Sequence, residues 1–232
     1  MGLTKQTGNM YPWVTHTWNP WRGCRFECDY CYVKHLRKRY GYDDTPRLIE
    51  KELRTNLGKD RVIFVVSTGD MWGRWVSDDI IIRILQHCFR FYQNEYVFQS
   101  KNPARFVEFK RYLANQFWVP NIPFMLGTTI ETNRYPGKGK FTLAPSINQR
   151  ADAMIALKPW KRFVTIEPIM DFDLEKFVAM IRVISPAFVA IGADSKGHGL
   201  IEPTAEKVRS LIDELRRFTS VREKENLRRL LG

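Results

Sequence analysis

The sequence predicts a single α/β domain built from six successive βα units, with parallel strands arranged as a partial βα barrel or an open doubly wound sheet. Three observations predict it. Short runs rich in β-branched and aromatic residues alternate along the chain with longer runs of helical period, the pattern of repeated βα units. The 232 residues suit one large domain, and no internal repeat or low-complexity segment divides them. With 44% apolar and 13% aromatic residues the chain can bury a real core, which excludes wholesale disorder.

The elements follow in order. Val14 to Trp18 is the first strand, followed by Asn19-Pro20, a cysteine-rich loop and a basic helix from Asp29 to Arg39. A second helix is expected from Pro46 to Leu57. Arg61 to Ser67, with its VIFVV core, reads as a strand buried on both faces. The turn Thr68-Gly69-Asp70 and a helix from Ser77 to Tyr92 come next; Ser77 and two following aspartates suit a helix start. Tyr96 to Ser100 is the third strand, and Pro103 opens a helix where proline is tolerated. Phe124 to Thr128 is the fourth strand, followed by a stretch, Glu131 to Pro145, too long and too rich in Gly, Pro and Lys for a simple connection. Ser146 to Leu157 is helical, Phe163 to Ile166 is the fifth strand, and Asp173 to Ile184 is a helix. Phe188 to Ile191 is the sixth strand and Thr204 to Phe218 the last helix. The domain therefore spans residues 14–218, between an N-terminal extension (1–13) and a charged C-terminal tail (219–232). The right-handed crossover rule places chemistry at the carboxyl ends of the strands in either architecture.

Charge and cysteine usage narrow the function. The 37 basic and 25 acidic residues leave a net charge of +12, which favours a polyanionic contact. No apolar run approaches the roughly 20 residues of a membrane span, and the first residues lack a secretory signal, so a cytoplasmic location with no membrane contact is expected. Four cysteines are too few for a disulfide scaffold, and three of them, Cys24, Cys28 and Cys31, are spaced C-x3-C-x2-C in NPWRGCRFECDYCY, directly after the first strand. Three thiolates on one short loop can hold three irons of a cubane and leave the fourth iron open to bind a small molecule. The alternative is a zinc site with His35 or Cys88 as fourth ligand, although no second paired ligand set exists in the chain. Cys88 shares a helical face with Ile81, Ile84 and Leu85, which suits a core residue.

The motif C-x3-C-x-aromatic-C after a first strand, with Tyr30 as the aromatic, resembles the cluster motif of the radical S-adenosylmethionine (radical SAM) superfamily. The wider phrase N-P-x-R-G-C-x3-C-x-Y-C-Y is similar to the branch containing spore photoproduct lyase and DNA-repair-lyase-like proteins. TWNPWRGC, VIFVVSTGDMWG, FQSKNP, LGTTIE and RFVTIEP, spread over nearly the whole chain, resemble a phage-associated three-cysteine-motif radical SAM family, implying a host-cytoplasm location if the protein is phage-encoded. The resemblance implies a partial (βα)6 radical SAM barrel in which Cys24, Cys28 and Cys31 hold a [4Fe-4S] cluster. It implies that the cluster binds S-adenosylmethionine and, once reduced by a flavodoxin- or ferredoxin-type electron donor, cleaves it to a 5′-deoxyadenosyl radical. The protein must hold the cofactor, aim it at one substrate hydrogen and exclude competing reductants.

Candidate residues for those tasks lie on strand ends. Tyr30 sits in the motif, and the family position for the methionine amino group is occupied by Ser67, Thr68, Gly69 and Asp70. Gly69 permits close backbone approach and Asp70 can pair with an ammonium; the usual superfamily form is glycine-rich with a glutamate, from which this version departs. Lys101, past the third strand, suits the methionine carboxylate or a substrate phosphate. Thr128, Thr129 and Glu131 close the fourth strand, where the superfamily often places ribose contacts. Glu167 puts a carboxylate directly after a buried run, costly unless it faces a polar site, and is a candidate for cofactor binding or acid/base work. Asp194, Ser195, Lys196 and His198 lie in a Gly-rich loop suited to adenine or substrate contact.

With Cys88 core-like, an auxiliary cluster has no ligands, and the βα core accounts for the chain to Phe218 without a cap. A wide mouth is therefore expected, closed by a macromolecular substrate or a partner protein. Lys34, Arg37, Lys38, Arg39, Arg134, Lys138, Lys140, Arg150, Lys158, Lys161 and Arg162 are expected to form a basic rim; six phosphate contacts would give a salt slope of about −5. Tyr135, Phe141, Trp72 and Trp75 are available to stack an unpaired base. The leading expectation is radical modification, rearrangement or repair of a nucleic acid base or nucleotide. Spore photoproduct lyases carry a further hydrogen-donor cysteine late in the chain, and none follows Cys88. The alternatives are radical chemistry on a peptide, protein or phosphorylated metabolite, and a metal-stabilised nucleic-acid-binding module without catalysis.

Overall fold

The computed structural model describes residues 2–6, 11–115, 122–134 and 141–232. Among them the strands in chain order are β1 (Thr4–Lys5), β2 (His16–Trp18), β3 (Trp21–Arg22), β4 (Arg47–Leu48), β5 (Val62–Val65), β6 (Glu95–Gln99), β7 (Phe124–Thr129), β8 (Arg162–Ile166), β9 (Phe188–Ile191) and β10 (Ser220–Glu223). The main sheet runs β1-β2-β5-β6-β7-β8-β9-β10. Only β1 is antiparallel to its neighbour; β2 and β5 through β10 are parallel throughout. The helices are α1 (Tyr32–Tyr40), α2 (Asp78–Arg90), α3 (Ala104–Glu108), α4 (Lys110–Leu113), α5 (Ile147–Ala156), α6 (Leu174–Ile184), α7 (Ala205–Arg216) and α8 (Arg228–Leu231). No helix among the described residues is long and apolar enough to cross a membrane.

Strand alternation builds two cores. Ile63, Val65, Phe98, Leu126, Val164 and Val189 face the helices and join the larger apolar cluster, together with Ile81, Leu85 and Cys88 of α2. The intervening residues Phe64, Val97, Met125, Phe163 and Phe188 face inward and pack on Tyr11 and Val14. Because both faces are covered, these strands read as continuous apolar runs, which made them legible. The Tyr11 hydroxyl donates to Gln99 Oε1 at 2.6 Å and lies 2.6 Å from Thr165 Oγ1, so the segment before β2 floors the barrel interior.

The sequence and the structure differ in three places. Pro46 to Leu57, expected as a helix, is β4 paired antiparallel with β3, then a 3-10 turn at Glu50–Arg54. Tertiary partners override local propensity there: Ile49 N–H donates to Pro20 O at 2.7 Å, and Trp18 Nε1 donates to Glu52 O at 3.2 Å. Ser220–Glu223, within the expected charged tail, is β10, a seventh parallel strand in register with Phe188 to Ile191. Its signal was hidden because Arg222 faces inward, its guanidinium carbon 3.9 and 3.8 Å from the Trp13 and Phe188 ring centroids. The expected N-terminal extension contributes β1 and Tyr11, and the expected first strand is shortened to His16–Trp18, with Thr15 still bonded through its backbone to Gln6 and Val62.

Candidate active site

The cysteine loop leaves β2 at the carboxyl end of the sheet and is fixed there by backbone contacts. Asn19 Oδ1 accepts from the backbone N–H groups of Ser67 (2.8 Å) and Thr68 (3.2 Å) and from both hydroxyls, which ties the loop start to the end of β5. Gly23 and Gly69 form an isolated bridge: Gly23 N–H donates to Thr68 O and Asp70 N–H to Gly23 O, both at 3.2 Å. A Cβ on Gly69 would stand 2.6 Å from Gly23 O, so only glycine permits this approach. Asp70 joins the β5 and β6 ends: its carboxylate accepts from Ser100 Oγ, from Lys101 N–H at 3.0 Å and from Trp72 N–H at 2.9 Å. Burial pushes its pKa up to about 6 against those hydrogen bonds.

Cys24, Cys28 and Cys31 are free thiols on one loop and line a single cavity of about 640 Å³. Burial raises the Cys24 thiol, helped by the Asp70 carboxylate, and burial raises Cys31. A ligated metal would offset this by replacing the protons with positive charge. Cys28 Sγ lies 3.2 Å from Thr142 Oγ1, and Leu143 N–H donates to Phe26 O at 2.6 Å, so the segment after residue 140 braces the loop. Among the described residues no three His, Cys, Asp or Glu side chains are grouped to hold one metal ion. The thiolates of an iron–sulfur cubane bind different irons and need not meet at a point, so the loop fits three corners of a cubane. Cys88 packs in the outer apolar layer instead of the cavity.

Behind the loop sits a buried clamp. Glu131 is 0% exposed and accepts from Tyr30 Oη, Lys101 Nζ and, at 3.0 Å, Arg150 Nη1. Burial alone would raise this carboxyl; the Lys101 and Arg150 cations outweigh it and hold the pKa at about 2. Lys101 Nζ also reaches Tyr30 Oη at 2.6 Å. Burial, with Glu131 beside it, pushes the Tyr30 hydroxyl well up. The clamp locks the motif tyrosine to the ends of β6 and β7 and to α5.

The opposite wall is assembled by β8, β9 and the C-terminal segment. Glu167 accepts from Lys224 Nζ at 2.5 Å and from Asn226 Nδ2 at 3.1 Å. Asp194 accepts from Lys196 N–H (3.2 Å) and His198 N–H (2.5 Å), and its Oδ1 lies 2.6 Å from His198 Nδ1. These hydrogen bonds outweigh burial and lower the Asp194 pKa.

The cavity thus gathers most residues that the sequence singled out: Tyr30, Ser67 to Asp70, Lys101, Thr129, Glu167 and Asp194 line it with the cysteines. Glu131 touches it only through Tyr30 and Lys101, and Thr128 points toward the helices, its hydroxyl donating to Ser100 O at 2.7 Å. Sequence reasoning missed Tyr11, Asn19, Gln99, Lys224 and Asn226. Asn19-Pro20 beside the motif was the one available signal.

Among the described residues, several members of the expected basic rim are engaged elsewhere. Arg150 is inside the Glu131 clamp, and Arg134 is held by Asp171 and Asp173. Arg162 opens β8 at the opposite end of the sheet from the cavity, with Lys161 beside it paired to Glu95. Lys34 and Arg37 pair with Glu27 and Asp44. Lys138, Lys140 and Tyr135 lie outside the described residues. Of the stacking candidates, Trp72 is buried in the core and Trp75 packs edge-on against Phe26. Phe141 lies against Tyr30, ring centroids 5.0 Å apart.

An open, mostly parallel sheet with helices outside, a floored interior and a cysteine loop after its first parallel strand defines a single α/β domain with its cavity at the carboxyl ends of the strands. Solved structures of spore photoproduct lyase share the fold: a cysteine-to-serine variant has a TM-score of 0.61 at 12% identity, covering 95% of this chain and 79% of that one. A cysteine-to-alanine variant has a TM-score of 0.63 at 12% identity, with 94% and 78% covered. A third, with bound AdoMet and dinucleoside spore photoproduct, has a TM-score of 0.53 at 15% identity, with 92% and 64% covered. No curated protein matches the chain by sequence. Residues 9–215 match the family model DUF5131, a protein family of unknown function, and the chain belongs to that family.

Proposed function

We propose that this protein is a radical SAM enzyme that binds a [4Fe-4S] cluster through Cys24, Cys28 and Cys31 and acts on a nucleic acid base or nucleotide. The observation that carries the reading is the placement of three free thiols on one backbone-fixed loop, facing a cavity of about 640 Å³ at the carboxyl ends of parallel strands. The cluster with S-adenosylmethionine would supply a 5′-deoxyadenosyl radical, given an electron from a flavodoxin- or ferredoxin-type donor. The chain's own residues bind and orient. The Gly23–Gly69 bridge sets the loop's distance from β5, and the turn at Ser67 to Gly69 offers backbone groups to the methionine moiety. Lys101 offers a cation beside Tyr30, and Tyr11 with Gln99 and Thr165 closes the floor against water. The nucleotide part is supported by the fold's likeness to a lyase solved with a dinucleoside photoproduct, not by a basic rim.

Anaerobic reconstitution tests the reading. The expected product is a brown protein with about four iron and four sulfide per chain that releases 5′-deoxyadenosine when reduced with S-adenosylmethionine. Alanine at Cys24, Cys28 or Cys31 should abolish release, and Cys88→Ala should retain it. Stoichiometric zinc without a cluster would overturn the proposal, as would turnover in the three loop variants.

A further inference from the structure

The wall of the cavity opposite the cysteines carries an Asp–His pair. Asp194 lies three residues past the end of β9, and its two carboxylate oxygens accept from the N–H groups of Lys196 and His198, which folds the loop back over the carboxylate. Gly197 (φ +67) and Gly199 (φ +71) flank His198, and a Cβ on either would meet nothing within 4 Å. The glycines therefore serve backbone conformation, bending the loop so that the histidine side chain returns to its own carboxylate. The loop is already capped by the backbone bonds, yet His198 Nδ1 makes a further contact with Asp194 Oδ1 at 2.6 Å.

A carboxylate accepts only, so in the neutral ring this contact places the proton on Nδ1 and leaves the Nε2 lone pair free. Among the described residues Nε2 makes no hydrogen bond, and His198, its side chain 20% exposed, lines the same cavity as the three cysteines. The other charged groups around the pair are accounted for. Glu202 accepts from Asp194 N–H, and Arg229 of α8 bonds both Glu202 and the Asp194 carbonyl. Lys196 is on the same loop, and Glu167 lines the cavity paired with Lys224.

We propose that His198 is a proton-transfer residue for the substrate, with Asp194 as its positioning partner. The neutral ring takes a proton at Nε2 from an N–H or O–H of the substrate, such as a nucleobase imide. The substrate is left one proton poorer, and the imidazolium formed is stabilised by the Asp194 carboxylate until the proton returns to substrate or water. This deepens the radical SAM reading and rests on it for the cavity's use as a substrate chamber. It also assigns Asp194 to the histidine instead of to the cofactor.

The test uses the full chain without cluster, labelled with 15N at His16, His35, His87 and His198. The expected wild-type signal for His198 is that of a ring protonated on Nδ1, and Asp194→Asn should shift it toward the Nε2-protonated form. Carbethoxylation by diethyl pyrocarbonate should fall about tenfold at His198 in that variant and stay unchanged at His35. The dinucleotide thymidylyl-(3′→5′)-thymidine should move the His198 resonances and leave those of His87 in place. A wild-type His198 protonated on Nε2, equal acylation in both proteins, or resonances that move with S-adenosylmethionine and not with the dinucleotide would overturn the proposal. Failure of the radical SAM reading is separate, because it shows as absent 5′-deoxyadenosine from the reconstituted wild type.

Discussion

The two walls of the cavity are built on opposite terms. On the cysteine wall the polar groups are largely spoken for: Asn19 accepts four hydrogen bonds, Asp70 ties two strand ends, and Glu131 is shared by Tyr30, Lys101 and Arg150. On the wall formed by β8, β9 and the C-terminal segment, groups keep open valences: His198 Nε2 has no partner among the described residues, and Asn226 Oδ1 is buried without one. A wall with most of its groups tied, Arg150 Nε excepted, holds something in one fixed pose. A wall with free donors and acceptors suits a ligand that arrives, exchanges protons and leaves.

The largest break in this contrast should come from Gly69→Ala. The new Cβ would meet backbone atoms of Gly23 at 2.6 and 2.7 Å, and backbone cannot rotate aside as a side chain can. The cysteine loop must then lift from the end of β5. The expected outcome is loss of nearly all reconstituted iron with the far-ultraviolet dichroism of the fold retained. Gly199→Ala, on the open wall, meets no atom within 4 Å; its cost is confined to the positive φ, about 1 kcal/mol, and iron content should stay at the wild-type level.

Glu131→Gln should follow. It leaves the Lys101 and Arg150 cations in a site whose carboxylate was fully buried, and breaking such a group typically costs about 3–5 kcal/mol, read as a lowered urea midpoint. The pH dependence has a definite sign. The folded pKa of about 2 lies below the ordinary 4.5, so this carboxylate's stabilisation is fully present above pH 4.5 and is lost as pH falls toward 2. The difference corresponds to about 3 kcal/mol, and the acid limb of the wild-type stability curve should be steeper than that of the glutamine variant.

How much of each wall was legible follows from the physics that holds it. The six parallel strands β2 and β5 through β9 announced themselves because parallel strands covered on both faces need unbroken apolar runs, as in VIFVV before Ser67 and FVAI at Phe188. The cysteine loop was legible because its C-x3-C-x2-C spacing is local in the sequence. The C-terminal wall was not: β10 reads SVRE, and its place in the sheet depends on register with β9 and on Arg222 stacking over Trp13, a residue at the other end of the sequence. The misread helix at Pro46 to Leu57 failed similarly, since β4 exists only because β3 is there to pair with it. Glu131 and Glu167 looked alike in sequence, each a carboxylate closing a strand. Only the third dimension gives one two cations around a fully buried carboxylate and the other a single lysine on a partly exposed one.

That last difference sets the smallest effect. The Lys224 and Glu167 side chains are 10% and 21% exposed, their charges meet at 2.5 Å, and Lys224 Nζ lies 5.0 Å from the Tyr11 ring centroid. Lys224→Met keeps most of the apolar stem and removes the charge, leaving Glu167 at a cavity that solvent can reach and still bonded by Asn226. A partly exposed pair of this kind is worth about 1 kcal/mol, so the melting temperature should fall by about 2–4 °C. A fall as large as that of Glu131→Gln would mean that the C-terminal wall is clamped like the other. Wild-type iron content alongside the small fall would place Lys224 on the substrate side of the chamber, where its loss leaves the cysteine loop untouched.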